Sequence, residues 1–489
     1  MVKINRRQLI LFGTASVGTI FFTNKFNQNI SSQPLPSSNV FDVYKSSNGL
    51  LELDLEAKEN LVNIGNTKAS LLTYNGKIPA PRLEVKPGDK VRIHFTNSLS
   101  QPTNIHYHGL HIPIQGNADN VFLHIKPKEK VTYQFQIPNN HLSGTFWYHP
   151  HLHGFVAEQL FGGLAGLFIV RGDLDEIPEI KSAKEEFLVL QDFAVDSNGR
   201  VANSAHMSLM TGREGNIITV NGQVNPRISF PETGLLRLRI LNASPSRFYR
   251  LALENHSFYQ IATDGGGLNK PIEVKELLLT PGQRAEVLIK GNQPAKEYRL
   301  LNLPYNRGGM GMMGGVGMMG GMGMRNGDSR DNTPMVLATV NYESSGQSSS
   351  IPNELVAVSP LPEPQTVRTF ELNHGMNPSV GMAFLINGLA YRSDRIHTQV
   401  RVNTVEDWEI INTGVMDHPL HIHNNAFQVI SRNGKPEDLL AWRDTVLVKT
   451  GETVRIRIAF RDFVGKTVYH CHILDHEDLG MMGNLMING

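Results

Sequence analysis

Across 489 residues the chain has one cysteine, no run of twenty apolar residues and no long basic block. It also shows little of the three-to-four-residue apolar spacing that marks helices. Each shortage excludes something. A lone thiol, Cys471, cannot staple a fold internally, so a disulfide scaffold is ruled out. A bilayer-spanning helix needs about 20 apolar residues, and none is present. With 46 basic and 45 acidic side chains the formal charge is +1, which makes nucleic acid a poor partner. What remains is ample for globular folding: 40% of the residues are hydrophobic. At roughly 150 residues per domain, the length suggests about three domains.

The N-terminus carries Lys3, Arg6 and Arg7, followed by the uncharged stretch Leu9 to Phe22. A charged start before a short apolar core reads as an export signal. The adjacent arginines in Asn5-Arg6-Arg7-Gln8-Leu9-Ile10 resemble the twin-arginine signal. Residues 1–40 are therefore expected to be an export signal and lead. The mature protein would lie in the periplasm or an equivalent exported compartment, without stable membrane insertion.

Short apolar or alternating runs such as Val91-Arg92-Ile93-His94-Phe95 and Leu236-Arg237-Leu238-Arg239-Ile240 fill most of the rest. Gly, Pro and Asn punctuate them, the pattern of an all-β sandwich or barrel. An internal repeat divides the chain. Asn-Gly turns at Asn75-Gly76, Asn221-Gly222 and Asn387-Gly388 are each followed by a strand-like run ending in Asn97, Asn242 or Asn412. The turns are 146 and 166 residues apart (221 − 75 and 387 − 221), which is domain spacing. The polar, proline-containing stretch 344–365 and residues near 173–182 read as linkers, placing domains at 41–172, 180–345 and 355–489. Histidine clusters follow the first and third turns. The second is followed by Ser246-Arg247-Phe248-Tyr249, so the middle domain is expected to carry no metal.

Four motifs carry the chemistry: His106-Tyr107-His108, His149-Pro150-His151, His418-Pro419-Leu420-His421-Ile422-His423, and His470-Cys471-His472 leading through His476 to Met481. In a strand, residues two apart face the same side, so each H-x-H unit offers two imidazoles to one pocket. Four such pairs give eight imidazoles, more than one ion can use, which implies a metal cluster. Alternation also sends Cys471 away from its two neighbours, toward a different metal. His418 stands outside the pairs, and His476 and Met481 follow the cysteine at five-residue steps. Two His, one Cys and a weak axial Met form the ligand set of a blue-copper electron-transfer site.

These four motifs resemble those of the multicopper oxidases, the family of laccases and bacterial cuprous oxidases, over nearly the whole chain after the leader. The resemblance implies three consecutive cupredoxin-like Greek-key domains, with the middle one copper-free, and four copper ions. It implies that His418, Cys471 and His476 bind the type 1 copper with Met481 axial. His106 and His421 would bind type 2 copper. His108, His149, His151, His423, His470 and His472 would bind the type 3 pair. His111 and His153 match no ligand position and are expected to support or pack. The implied partners are dioxygen and either Cu(I) or a small phenolic reductant, for a monomer.

Two acids enter the same way. Glu477, beside His476, resembles the family's proton-relay acid. The other usual acid lies in an Asp-Gly after the first histidine pair; here the position offers Asp119-Asn120, without the glycine. For the substrate, residues 308–324 read GGMGMMGGVGMMGGMGM, with Met310, Met312, Met313, Met318, Met319, Met322 and Met324 among nine glycines. Glycine at this density disfavours helix and strand. Soft thioether sulfur selects Cu(I) over hard cations. Met416, two residues before His418, resembles a cuprous-substrate methionine of the bacterial enzymes, with Asp417 beside it. The expected substrate is Cu(I), in the service of copper tolerance. A general laccase whose Met-rich loop lids the pocket is the alternative, and a catalytically inactive scaffold a more distant one.

Overall fold

The computed structural model describes residues 40–204, 206–308, 333–343, 348–377 and 381–489. The expected export signal lies outside the described residues, as do all seven methionines of the run 308–324. Among the described residues there are six sheets, two in each repeat. In the first repeat, Thr67–Tyr74, Leu50–Ile64, Lys90–Asn97 and Lys130–Gln136 form one sheet. Val43–Lys45, Arg82–Val85, Gly166–Val170, Gly144–His149 and His106–His108 form its partner. The third repeat ends on a five-stranded sheet ordered Thr398–Arg401, Met482–Asn488, Gly465–Cys471, His418–Ile422, Thr445–Val448.

One pairing recurs. Leu50–Ile64 runs parallel to Lys90–Asn97, Lys184–Phe193 to Leu235–Asn242, and Thr366–Asn377 to Thr404–Asn412. Strands that are neighbours in space but not in sequence give the Greek-key path of a cupredoxin-like sandwich. The alternating strands bury one face each, and the three repeats have separate apolar cores, centred for example on Phe95, Ile240 and Trp408.

The repeat markers do the same work three times. Both residues of each Asn-Gly turn have positive φ: 53° and 76° at Asn75-Gly76, 55° and 75° at Asn221-Gly222, 53° and 71° at Asn387-Gly388. This is the twist that a two-residue hairpin needs. Each turn asparagine accepts a backbone N–H from its neighbouring strand, from Glu56, Val189 and Glu371 respectively. Asn97, Asn242 and Asn412 are fully buried, and each donates from its side chain to two backbone carbonyls.

Of the two expected linkers, 173–182 holds two single-turn helices, Asp173–Glu176 and Pro178–Lys181, with Leu174 and Ile180 buried. The described part of the other, from residue 348, runs without strand to Thr366 and packs on the middle repeat, Val356 N–H donating to the Leu268 carbonyl. Among the described residues no helix is long and apolar enough to cross a membrane.

Candidate metal centres

Strand register builds both centres. His106–His108 pairs antiparallel with Gly144–His149, setting His106 opposite His149. His418–Ile422 pairs with Gly465–Cys471, setting His421 opposite His470 and Leu420 opposite Cys471. Tyr107 points into the first core and Cys471 into the third, so their histidine neighbours point the other way, into the junction of the two repeats.

On the core side, the Cys471 Sγ lies 3.4 Å from His418 Nδ1 and 3.9 Å from His476 Nδ1, and these two nitrogens are 3.3 Å apart. Met481 is fully buried, and its carbonyl accepts the Cys471 N–H at 3.0 Å. Phe384 stacks on His476, centroids 3.7 Å apart. Burial pushes the Cys471 thiol well above its usual range, so a thiolate there needs a cation beside it.

On the other side the eight remaining imidazoles, all buried, close on one another. First-repeat rings stack on third-repeat rings: His106 on His423 at 3.8 Å and His108 on His421 at 3.7 Å between centroids. His470 Nε2 lies 3.1 Å from His151 Nε2 and 3.0 Å from His423 Nε2. His472 adjoins His108 at 5.0 Å. Burial first, then neighbouring histidines or (for His108 in part) Arg284, holds His106, His108, His149, His151, His423, His470 and His472 well below the usual histidine pKa.

Whether this arrangement suits a metal can be tested on its hydrogen bonds. A neutral imidazole has one N–H, and its acceptor decides which nitrogen keeps the lone pair. His106 Nδ1 faces Asp119 at 2.8 Å, His149 Nδ1 the Pro150 carbonyl at 2.9 Å, and His421 Nδ1 the Asp444 carbonyl at 2.8 Å. His108 Nε2 faces the Asp444 carboxylate at 3.0 Å. The opposite nitrogens, His106 Nε2, His149 Nε2, His421 Nε2 and His108 Nδ1, are buried and have no hydrogen-bond partner among the described residues. Neutral rings with outward nitrogens satisfied and inward lone pairs bare are the donor set that a metal ion takes, so the residues present fit a metal.

The two acids also stand here. Glu477 is fully buried, one oxygen 3.6 Å from His470 Nδ1 and 4.0 Å from His151 Nε2, and burial holds its carboxyl well above the usual range. Asp119 accepts from His106 and from the Tyr107 N–H at 2.9 Å, and burial raises it to about 8.

His111 and His153 stay out of the cluster. The first bonds the Asn424 carbonyl and Asp462, the second packs on Tyr391. Met416 is buried, and Gly308, where the methionine-glycine run begins, bridges to it. Both Asp417 oxygens are used, by Thr450 N–H at 2.9 Å and the Tyr305 hydroxyl at 2.8 Å, which ties the start of that run beside His418.

Sequence reasoning missed two features. Asp444 contacts the cluster from a stretch without any repeat signal. Met376 and Met382 are direct cross-strand partners, with His374 and Phe384 the next pair on the same face. Their place just before the third Asn-Gly turn was the available clue.

A three-repeat cupredoxin-like protein, with a buried Cys-His-His group joined through adjacent residues to an eight-histidine cluster, points to the copper-dependent oxidoreductases. Family models described as multicopper oxidase match residues 56–175, 184–312 and 361–488. A multicopper oxidase of Staphylococcus aureus is 31% identical, covering 92% of this chain and 91% of that protein. A laccase of Bacillus subtilis is 26% identical, covering 84% and 88%. Among solved structures, a Campylobacter jejuni multicopper oxidase described as a metallo-oxidase superposes with a TM-score of 0.79 at 34% identity, covering 92% and 94%. The chain belongs to the multicopper oxidase family, whose members use copper to pass electrons from a reductant to dioxygen.

Proposed function

We propose that the chain is an exported cuprous oxidase serving copper tolerance, with oxidation of phenols as a side activity. His418, Cys471, His476 and Met481 hold a type 1 copper. His106 and His421 hold type 2 copper, and His108, His149, His151, His423, His470 and His472 a type 3 pair. Bound copper supplies one-electron oxidation at the first centre and reduction of dioxygen to water at the second. The protein's part is to join them: the Cys471 backbone is continuous with His470 and His472, a short through-bond path. Glu477, whose carboxyl burial holds well above the usual range and which lies beside His470 and His151, is the candidate proton donor for oxygen reduction. Asp119 orients His106 and is the second candidate acid.

The observation that carries the cuprous reading is the placement of methionines on the segments that bear or pack on His418 and His476, from buried Met416 to Met376, which is 78% exposed. Met416 precedes His418, Met376 and Met382 share a hairpin face with Phe384, which stacks on His476, and the run 308–324 begins at a bridge to Met416. Soft thioethers bind Cu(I) selectively. Similarity to laccases favours the second reading, a general phenol oxidase in which the run is a lid. Deleting 308–324 separates them. The cuprous reading expects Cu(I) oxidation to fall and activity on bulky phenols to rise. Unchanged activity on both would remove its main support.

A further inference from the structure

The middle repeat has no histidine pair, yet three of its residues reach the cluster or the Asp444 beside it. Arg284, fully buried, forks onto Asp444, Nη1 to Oδ1 at 2.9 Å and Nη2 to Oδ2 at 2.6 Å. Its Nε donates to the Thr145 carbonyl of the first repeat at 2.8 Å. Asp264 accepts the backbone N–H of Asp444 at 3.1 Å and of Thr445 at 3.2 Å. Gly282, at φ +81°, lies so close to His472 that a Cβ would come within 2.8 Å of the ring. Gly109, next to His108 and at φ +85°, leaves the room in which Asp444 and Arg284 meet; a Cβ there would collide with both.

We propose that Asp444, clamped by Arg284, is a positioning residue that sets which nitrogens His108 and His421 turn toward the cluster. The copper-free repeat thereby acts on the trinuclear centre. The inference rests on the assignment of copper to the eight-histidine cluster. Asp444 Oδ1 takes the Nε2–H of His108, which leaves Nδ1 bare. The Asp444 carbonyl takes the Nδ1–H of His421, which leaves Nε2 bare. One residue thus imposes opposite tautomers on two rings stacked 3.7 Å apart, one from each copper-bearing repeat. A carboxylate free to rotate would not keep Oδ1 on His108 Nε2 while the backbone carbonyl holds His421. The bidentate guanidinium removes the rotation, and Asp264 pins the backbone.

The test uses copper-loaded full-length chain with Asp444→Ala, Asp444→Asn and Arg284→Lys. Asn keeps an acceptor of the same shape; Lys keeps the charge but loses the fork. Copper per chain, the blue absorption and the type 2 electron paramagnetic resonance signal are measured together. The blue band is expected to survive in all three. The type 2 signal should change, and copper should fall from about four per chain toward about one in Asp444→Ala, with partial recovery in Asp444→Asn. Were Asp444→Ala not to fold, the two conservative variants decide. Full copper with unchanged type 2 signal would overturn the proposal. So would equal loss of both centres, which marks a merely structural interface. A wild-type chain lacking cluster copper would instead refute the cluster assignment itself.

Discussion

Stripping copper should make the protein labile in mild acid. His418 is fully buried, and its pKa is lowered from 6.5 to about 3, chiefly by burial. A histidine depressed in the folded state takes its proton first in the unfolded chain, so stability is lost as pH falls below about 6.5. At pH 5 this amounts to about 2 kcal/mol for His418 alone. His106, His108, His149, His151, His423, His470, His472 and His476 are depressed in the same direction. Their losses add to that of His418, and a typical domain has only about 5–15 kcal/mol of stability to lose. Asp119 (raised to about 8), Asp478 (raised to about 6), Glu477 and Asp264 pull the other way: each weakens the fold as pH rises from the ordinary carboxylate range to its raised value, across the same window. The depressed histidines, with His141 and His153 (each lowered to about 4) among them, outnumber the raised acids, so a net loss toward acid is expected. Copper on the ring nitrogens blocks their protonation, so the loaded protein should hold its stability to lower pH. Denaturant midpoints of stripped and loaded protein between about pH 7.5 and 5 check this. A stripped protein whose midpoint stays flat across that range would refute the reasoning.

Replacing Glu477 by Gln should slow oxygen reduction while preserving the blue colour, read by oxygen uptake and absorbance; unchanged turnover would end its relay role. Cys471→Ser should abolish the blue band and steady-state oxidation, yet leave copper bound at the cluster, read by metal content. Asn242→Leu should strand two carbonyls and the Ser244 N–H, costing about 2–4 kcal/mol in a denaturant titration. A loss below about 0.5 kcal/mol would mean that these bonds do not hold the middle repeat.

Much of the molecule was legible because its signals are local. The Asn-Gly pairs at 75–76, 221–222 and 387–388, each followed by a strand-like run ending in Asn, announced three repeats, and both residues of each pair take the positive φ of a two-residue turn. A strand sends neighbours to opposite faces, so His470-Cys471-His472 could be divided between two centres before any fold was known. Composition alone set aside disulfide, membrane-helix and nucleic-acid classes. Tertiary structure decided what no local pattern encodes. Asp444 lies 336 residues from His108 and 160 from Arg284. Met376 meets Met382 only through strand register. The facing of the histidine pairs follows from backbone periodicity within a few residues, whereas the groups that bond to those rings, such as Asp444, are brought there by packing between repeats, where sequence distance carries no information.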